Sequence, residues 1–141
     1  SITIPDKWPK ARYHYLTLPR LPCKHCVAAD LENLETLLRS KHALPVLMAL
    51  KAASDEVVDM IQCEMEATEG KTWLIFVGFH RSESMRHVHL HIISSDFESE
   101  GLKTKKHYNS FSPKSGFFIS LESAISWVKS KTVRASRHQH R

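Results

Sequence analysis

Long apolar runs are missing from this chain of 141 residues. The longest, around Trp73 to Gly78, falls far short of the roughly 20 residues that a membrane-spanning helix needs. No stretch has the basic, apolar and small-residue order of a secretory signal, so the expectation is a soluble intracellular protein with no membrane partner. Glycine (4) and proline (6) are too scarce for a collagen-like or low-complexity chain. Only three cysteines occur, Cys23, Cys26 and Cys63, which without a secretory context argues against a disulfide framework and for reduced thiols. No internal repeat is visible, and the length suits one compact domain.

What the sequence does have is uneven charge. The formal net charge of +5 hides +4 over residues 1–29, −6 over residues 30–69 and +7 over residues 70–141. Lys129, Lys131, Arg134, Arg137 and Arg141 close the chain without an acid among them. A local basic face suits a phosphate-rich partner, because neutralised phosphates release condensed counterions. A solvated tail would look the same in sequence.

Alternation of apolar residues predicts a strand within Ser1–Asp6, expected to pair partly outside the given sequence, and a second over Arg12–Leu18, the two forming a hairpin. Asp30 is the expected N-cap of a short helix carrying Leu31, Leu34, Leu37 and Leu38. A longer helix follows, with Pro45 in its first turn and Leu47, Leu50, Val57, Met60, Ile61 and Met65 as its apolar stripe. Gly70 supplies a turn into a central strand over Lys71–Phe79. The next strand is expected over Arg86–Ser94, then a polar loop over Glu98–Pro113, an edge strand at Gly116–Ile119 and a helix over Leu121–Lys131 capped by Ser120. Strands and helices come in blocks rather than in βαβ units, which points to an α+β fold with an antiparallel sheet of about five strands and helices packed on it.

His87, His89 and His91 alternate with Val88, Leu90 and Ile92, so a strand would put three imidazoles on one face and three aliphatic side chains on the other. Such a row can be a polar strand face, a metal site or a nucleophilic centre. A metal would take two neighbouring histidines and need a third ligand such as Asp96 or His107. As a nucleophile at phosphorus, the middle imidazole would have a helper on each side.

The run His87-Val88-His89-Leu90-His91-Ile92-Ile93 matches the signature of the histidine triad (HIT) nucleotide hydrolases and transferases, and the sequence resembles that family. The block from Asp6 to Pro19, with Pro9, His14 and Leu16, fits the family's upstream motif. Three passages, residues 6–19, 78–97 and 102–111, are similar to the aprataxin branch, which removes AMP from adenylated DNA 5′ ends. The resemblance implies that His89 takes the adenylyl group, that His91 stabilises the phosphoryl oxygens, that His87 and His14 orient the active imidazoles and that His80 meets the leaving DNA phosphate. It further implies nucleotide contacts from Asp6 at the ribose, from Lys7 and Trp8 beside it and from Ser84 at phosphate. Lys10, Lys103, Lys106 and His107 become candidates for the DNA backbone.

The resemblance therefore implies a DNA-adenylate hydrolase acting on DNA or RNA–DNA ends, with AMP as product ligand, no metal or other cofactor needed for catalysis, nuclear placement and a monomeric state. The expected division is a HIT domain over residues 1–131 and a basic tail over residues 132–141. Two alternatives are a general HIT phosphoramidate or dinucleotide hydrolase and a non-catalytic nucleic-acid-binding module. The sequence departs from the branch in having no cysteine after Cys63, where aprataxins carry a zinc finger. The branch's first strand and DNA-end helix would precede Ser1. Cys23 and Cys26 in Cys23-Lys24-His25-Cys26 are half of a zinc site, with His25, His42 or Cys63 as the obvious partners, or a loop with free thiols.

Overall fold

The computed structural model describes residues 1–7, 11–19, 28–80, 87–95 and 118–139. Strand β1 (Ile2–Pro5) and strand β2 (His14–Leu18) form the expected antiparallel hairpin, so β1 finds its partner within the chain. A single 3-10 turn at Ala28–Leu31 leads to helix α1 (Leu34–Arg39). Asn33, not Asp30, caps that helix: its Oδ1 accepts the Thr36 N–H at 2.9 Å. Asp30 instead falls inside the 3-10 turn, one residue before Leu31 enters the core.

Helix α2 (Ala43–Glu69) is the longest element, with Pro45 in the first turn, where its missing N–H is no loss. Its buried stripe runs through Val46, Leu47, Leu50, Ser54, Ile61 and Met65. Met60 does not belong to it and is 48% exposed, because it lies one position round the helix from Ile61. Gly70 closes α2 in the left-handed conformation (φ 67°), which spares a Cβ the strain of that region.

Strand β3 (Ile75–His80) then pairs with β4 (Leu90–Ser94) and with the short edge strand β5 (Phe118–Ser120). Helix α3 (Leu121–Gln139) follows at once; the Ser120 hydroxyl accepts the Ser123 N–H at 3.1 Å, and the helix runs past the expected end at Lys131. The sheet is antiparallel, in the order β1-β2-β4-β3-β5. The expectation of a five-stranded α+β fold is met, and β3 is an interior strand as expected, with β4 beside it at the middle of the sheet.

Period-two alternation divides β4 between two environments. Leu90 and Ile92 face the helices: Leu90 packs with Leu31, Leu37, Leu47, Leu50, Phe79 and Ile125, and Ile92 with Tyr13, Ile61 and Met65. His91 and Ile93 face the other way, Ile93 against Ala11, Phe76 and Phe118. Arg12, at the entry to β2, pairs with Glu69 at the end of α2 and ties that helix to the sheet. Among the described residues, no helix is long and apolar enough to cross a membrane.

Candidate active site

The ladder of β4 begins at Leu90, so His87 and His89 precede the strand rather than lie within it. The cause is a competing bond. The Val88 N–H donates to the Leu31 carbonyl at 2.7 Å, which draws this backbone toward the helical layer and away from its neighbours in the sheet. His87 consequently does not stand in a row with the other two imidazoles. Its Nε2 lies 3.1 Å from the Pro19 carbonyl, and as a carbonyl only accepts, His87 is the donor.

The same logic sets the tautomer of His89. Its Nδ1 lies 2.9 Å from the His87 carbonyl and must carry the proton, which leaves a lone pair on Nε2 of the neutral ring. His87 thus assists His89 through its backbone, not through its imidazole. His91 stacks obliquely on His89, with ring centroids 5.0 Å apart, and on His80 from β3 at 4.4 Å.

The hairpin brings a further pair of groups. The Asp6 N–H donates to the His14 carbonyl at 2.9 Å, extending the ladder of β1 and β2 by one pair and setting both side chains on one face. His14 Nε2 lies 3.0 Å from His91 Nδ1 and 3.4 Å from Asp6 Oδ2. A proton on His14 Nε2 satisfies both neighbours, whereas a lone pair there would face the carboxylate. His91 Nδ1 then accepts, which places the proton of the neutral ring on Nε2, the nitrogen that can donate to an oxygen anion. His14, His89 and His91 are 4%, 3% and 5% exposed, so these contacts are shielded from water, which strengthens them.

Gly78 is part of this arrangement. It is the register partner of His91, and a Cβ on it would overlap the Phe118 ring and the Ile119 carbonyl. Only glycine lets β5 pair this closely with β3 while the Phe118 ring packs beside it, where Phe118 meets His80 edge-on at 6.0 Å. The sequence carried the signal for this as a lone glycine inside an apolar strand. The roles of the Pro19 and His87 carbonyls carry no residue-type signal.

The structure brings Asp6, His14, His80, His89 and His91 together and turns His87 aside. Lys7 is exposed just beyond Asp6. Trp8, Lys10, Ser84, Lys103, Lys106 and His107 lie outside the described residues, as do Cys23, Cys26 and the alternative metal ligand Asp96. His42 and Cys63, weighed as zinc partners of the Cys-x-x-Cys pair, sit near opposite ends of α2, about 30 Å apart at 1.5 Å per residue, and cannot serve one ion together.

An antiparallel five-stranded sheet with a helical layer on one face and converging imidazoles on the other defines a histidine-triad domain. A family model described as "Scavenger mRNA decapping enzyme C-term binding" matches residues 1–107. Aprataxin of Gallus gallus is 36% identical over 131 residues, covering 93% of this chain and 36% of that protein. The solved structure of the aprataxin ortholog Hnt3 in complex with DNA superposes with a TM-score of 0.65 at 30% identity, covering 88% of this chain and 62% of that one. Hnt3 in complex with DNA and guanosine gives 0.64 at 29% identity, with coverages of 88% and 63%. The chain belongs to the family of that model and, among the HIT proteins, to the aprataxin-like branch. It spans about a third of the chicken relative's length and less than two thirds of the Hnt3 chains.

Proposed function

We propose that this chain is the catalytic domain of a DNA-adenylate hydrolase that removes AMP from 5′-adenylated DNA ends through an adenylyl-His89 intermediate. The observation that carries the reading is the 2.9 Å contact from His89 Nδ1 to the His87 carbonyl, which puts the ring's proton on Nδ1 and its lone pair on Nε2. The similarity to a DNA-bound relative supports DNA as the substrate class.

In this scheme His89 Nε2 attacks the phosphorus of the AMP moiety, and the bond from that phosphorus to the bridging oxygen breaks. The DNA 5′-phosphate leaves with the electron pair, assisted by a proton from His80. His91 Nε2–H meets the phosphoryl oxygens, with its tautomer held through His14 by Asp6. Water then attacks the phosphorus of the N–P adduct, giving up its proton to His80, and the N–P bond breaks to give AMP and return both histidines to their starting forms. No step calls for a metal ion. Asp6 retains a role at the ribose, with Lys7 and Trp8 beside it and Ser84 at phosphate. Lys10, Lys103, Lys106, His107 and the basic extension over residues 132–141 serve the DNA backbone. Nuclear placement and action as a monomer accord with this substrate.

The test is AMP release in EDTA from a 5′-adenylated DNA duplex and from an AMP phosphoramidate, with wild type and His89→Asn. Release from the DNA that depends on His89, together with an adenylyl mass adduct preserved by alkaline quenching, is the expected result. Release from the small substrate alone makes the protein a general HIT hydrolase. Release by the His89→Asn variant at the wild-type rate sinks the mechanism.

A further inference from the structure

Asp6 Oδ2, His14 Nε2 and His91 Nδ1 fix a tautomer, and they also make a set of donors. One donor atom from each of the three residues lies within 4.8 Å of the other two, and His14 Nε2 is 3.0 Å from His91 Nδ1 and 3.4 Å from Asp6 Oδ2. A tetrahedral zinc ion bound at about 2.0–2.2 Å has its ligand atoms about 3.3 Å apart, so two edges are already close to that spacing and the third closes by a movement of Asp6. The three groups come from two strands and the turn after β1, and the two imidazoles are held in a buried, hydrogen-bonded register. Two imidazoles and one carboxylate form a donor set suited to zinc and poorly suited to magnesium or calcium, which take all-oxygen shells.

We infer that Asp6, His14 and His91 form a zinc(II) site that competes with the nucleotide. Binding requires a lone pair on His14 Nε2, so the proton there passes to His14 Nδ1 or to solvent, while His91 Nδ1 already presents its lone pair. Three protein ligands leave one coordination position for water. The ion draws Asp6 inward to close the third edge, away from the ribose position. Zinc and AMP are therefore alternatives at Asp6, and each weakens the other by the same factor. The metal site stands on the geometry alone. Its consequence for activity rests on the proposed function, where zinc is an inhibitor rather than a cofactor.

The experiment is a zinc titration of the purified chain against a chromophoric chelator, with cobalt(II) as the spectroscopic probe. It is run on wild type, on Asp6→Asn, on His14→Gln and on a Cys23→Ser/Cys26→Ser variant, each first checked by thermal melting. Expected are one zinc per chain, tetrahedral cobalt absorption, an affinity at least tenfold lower in Asp6→Asn with folding intact, and release of the ion by AMP. The cysteine variant keeps full affinity. Zinc uptake that is unchanged in Asp6→Asn, that disappears in the cysteine variant, or that is tightened by AMP overturns the inference. Because none of these readouts is catalytic, an Asp6-dependent zinc site in a protein that releases no AMP from DNA would refute the proposed function and leave the site standing.

Discussion

The two faces of the sheet obey the same alternation and use it for opposite ends. On the helical face, β4 contributes Leu90 and Ile92 to an aliphatic core, where volume and shape are all that matter. On the other face, His91 stands among His14, His80 and His89, where the position of single protons decides what the groups can do. One strand therefore carries a tolerant side and an exacting side, and the two respond to substitution in different currencies: the helical face in stability, the histidine face in rate.

The largest effect separates them outright. His89→Asn is expected to lower AMP release from adenylated DNA by about 10⁴-fold or more, as loss of a nucleophile does elsewhere, with a melting temperature near that of wild type. Leu90→Ala, one residue away and pointing to the opposite face, is expected to cost about 2–5 kcal/mol in a denaturant titration while the folded fraction keeps its rate. Equal losses of stability in both variants would erase the distinction between the faces. Gly78→Ala tests where they meet: the new methyl group must displace Phe118 or the β5 backbone, and a loss of about 1–3 kcal/mol is expected, along with a slower rate as Phe118 shifts against His80. The smallest effect belongs to the helical side alone. Asn33→Ala removes the α1 cap and should cost about 1 kcal/mol with the rate unchanged.

The sequence was most legible where one local rule acts alone. The hairpin of β1 and β2, the stop at Gly70, the Ser120 cap and the inward face of β4 follow from alternation, left-handed turn chemistry and capping. It misled where a distant bond intervened. Histidines at 87, 89 and 91 alternate as a strand would, yet the Val88 N–H prefers the Leu31 carbonyl, which no periodicity reveals. Asp30 and Asn33 are both good caps by type, and the choice fell to the one placed ahead of the turn that packs. Met60 and Ile61 looked interchangeable until the helix phase was set by its partners. The triad and the upstream histidine were visible as a motif. Their geometry was not, since Asp6 reaches His14 through the hairpin of β1 and β2, and His14 reaches His91 only through the pairing of β2 with β4.

The bonds of Val88 and His89 share one rigid unit. The His87 carbonyl and the Val88 N–H belong to a single planar peptide group, and in the trans form they point to opposite sides of it. One end is fastened to the Leu31 turn of the helical layer and the other holds the Nδ1 proton of His89. That plane works as a rocker between the two layers: tilting it enough to free the amide from Leu31 also withdraws the acceptor from the imidazole. Exchange of the Val88 amide with solvent and loss of the fixed His89 tautomer are thus a single local opening, so the packing of a leucine turn in the helical layer sets how much of the time His89 keeps its lone pair on Nε2.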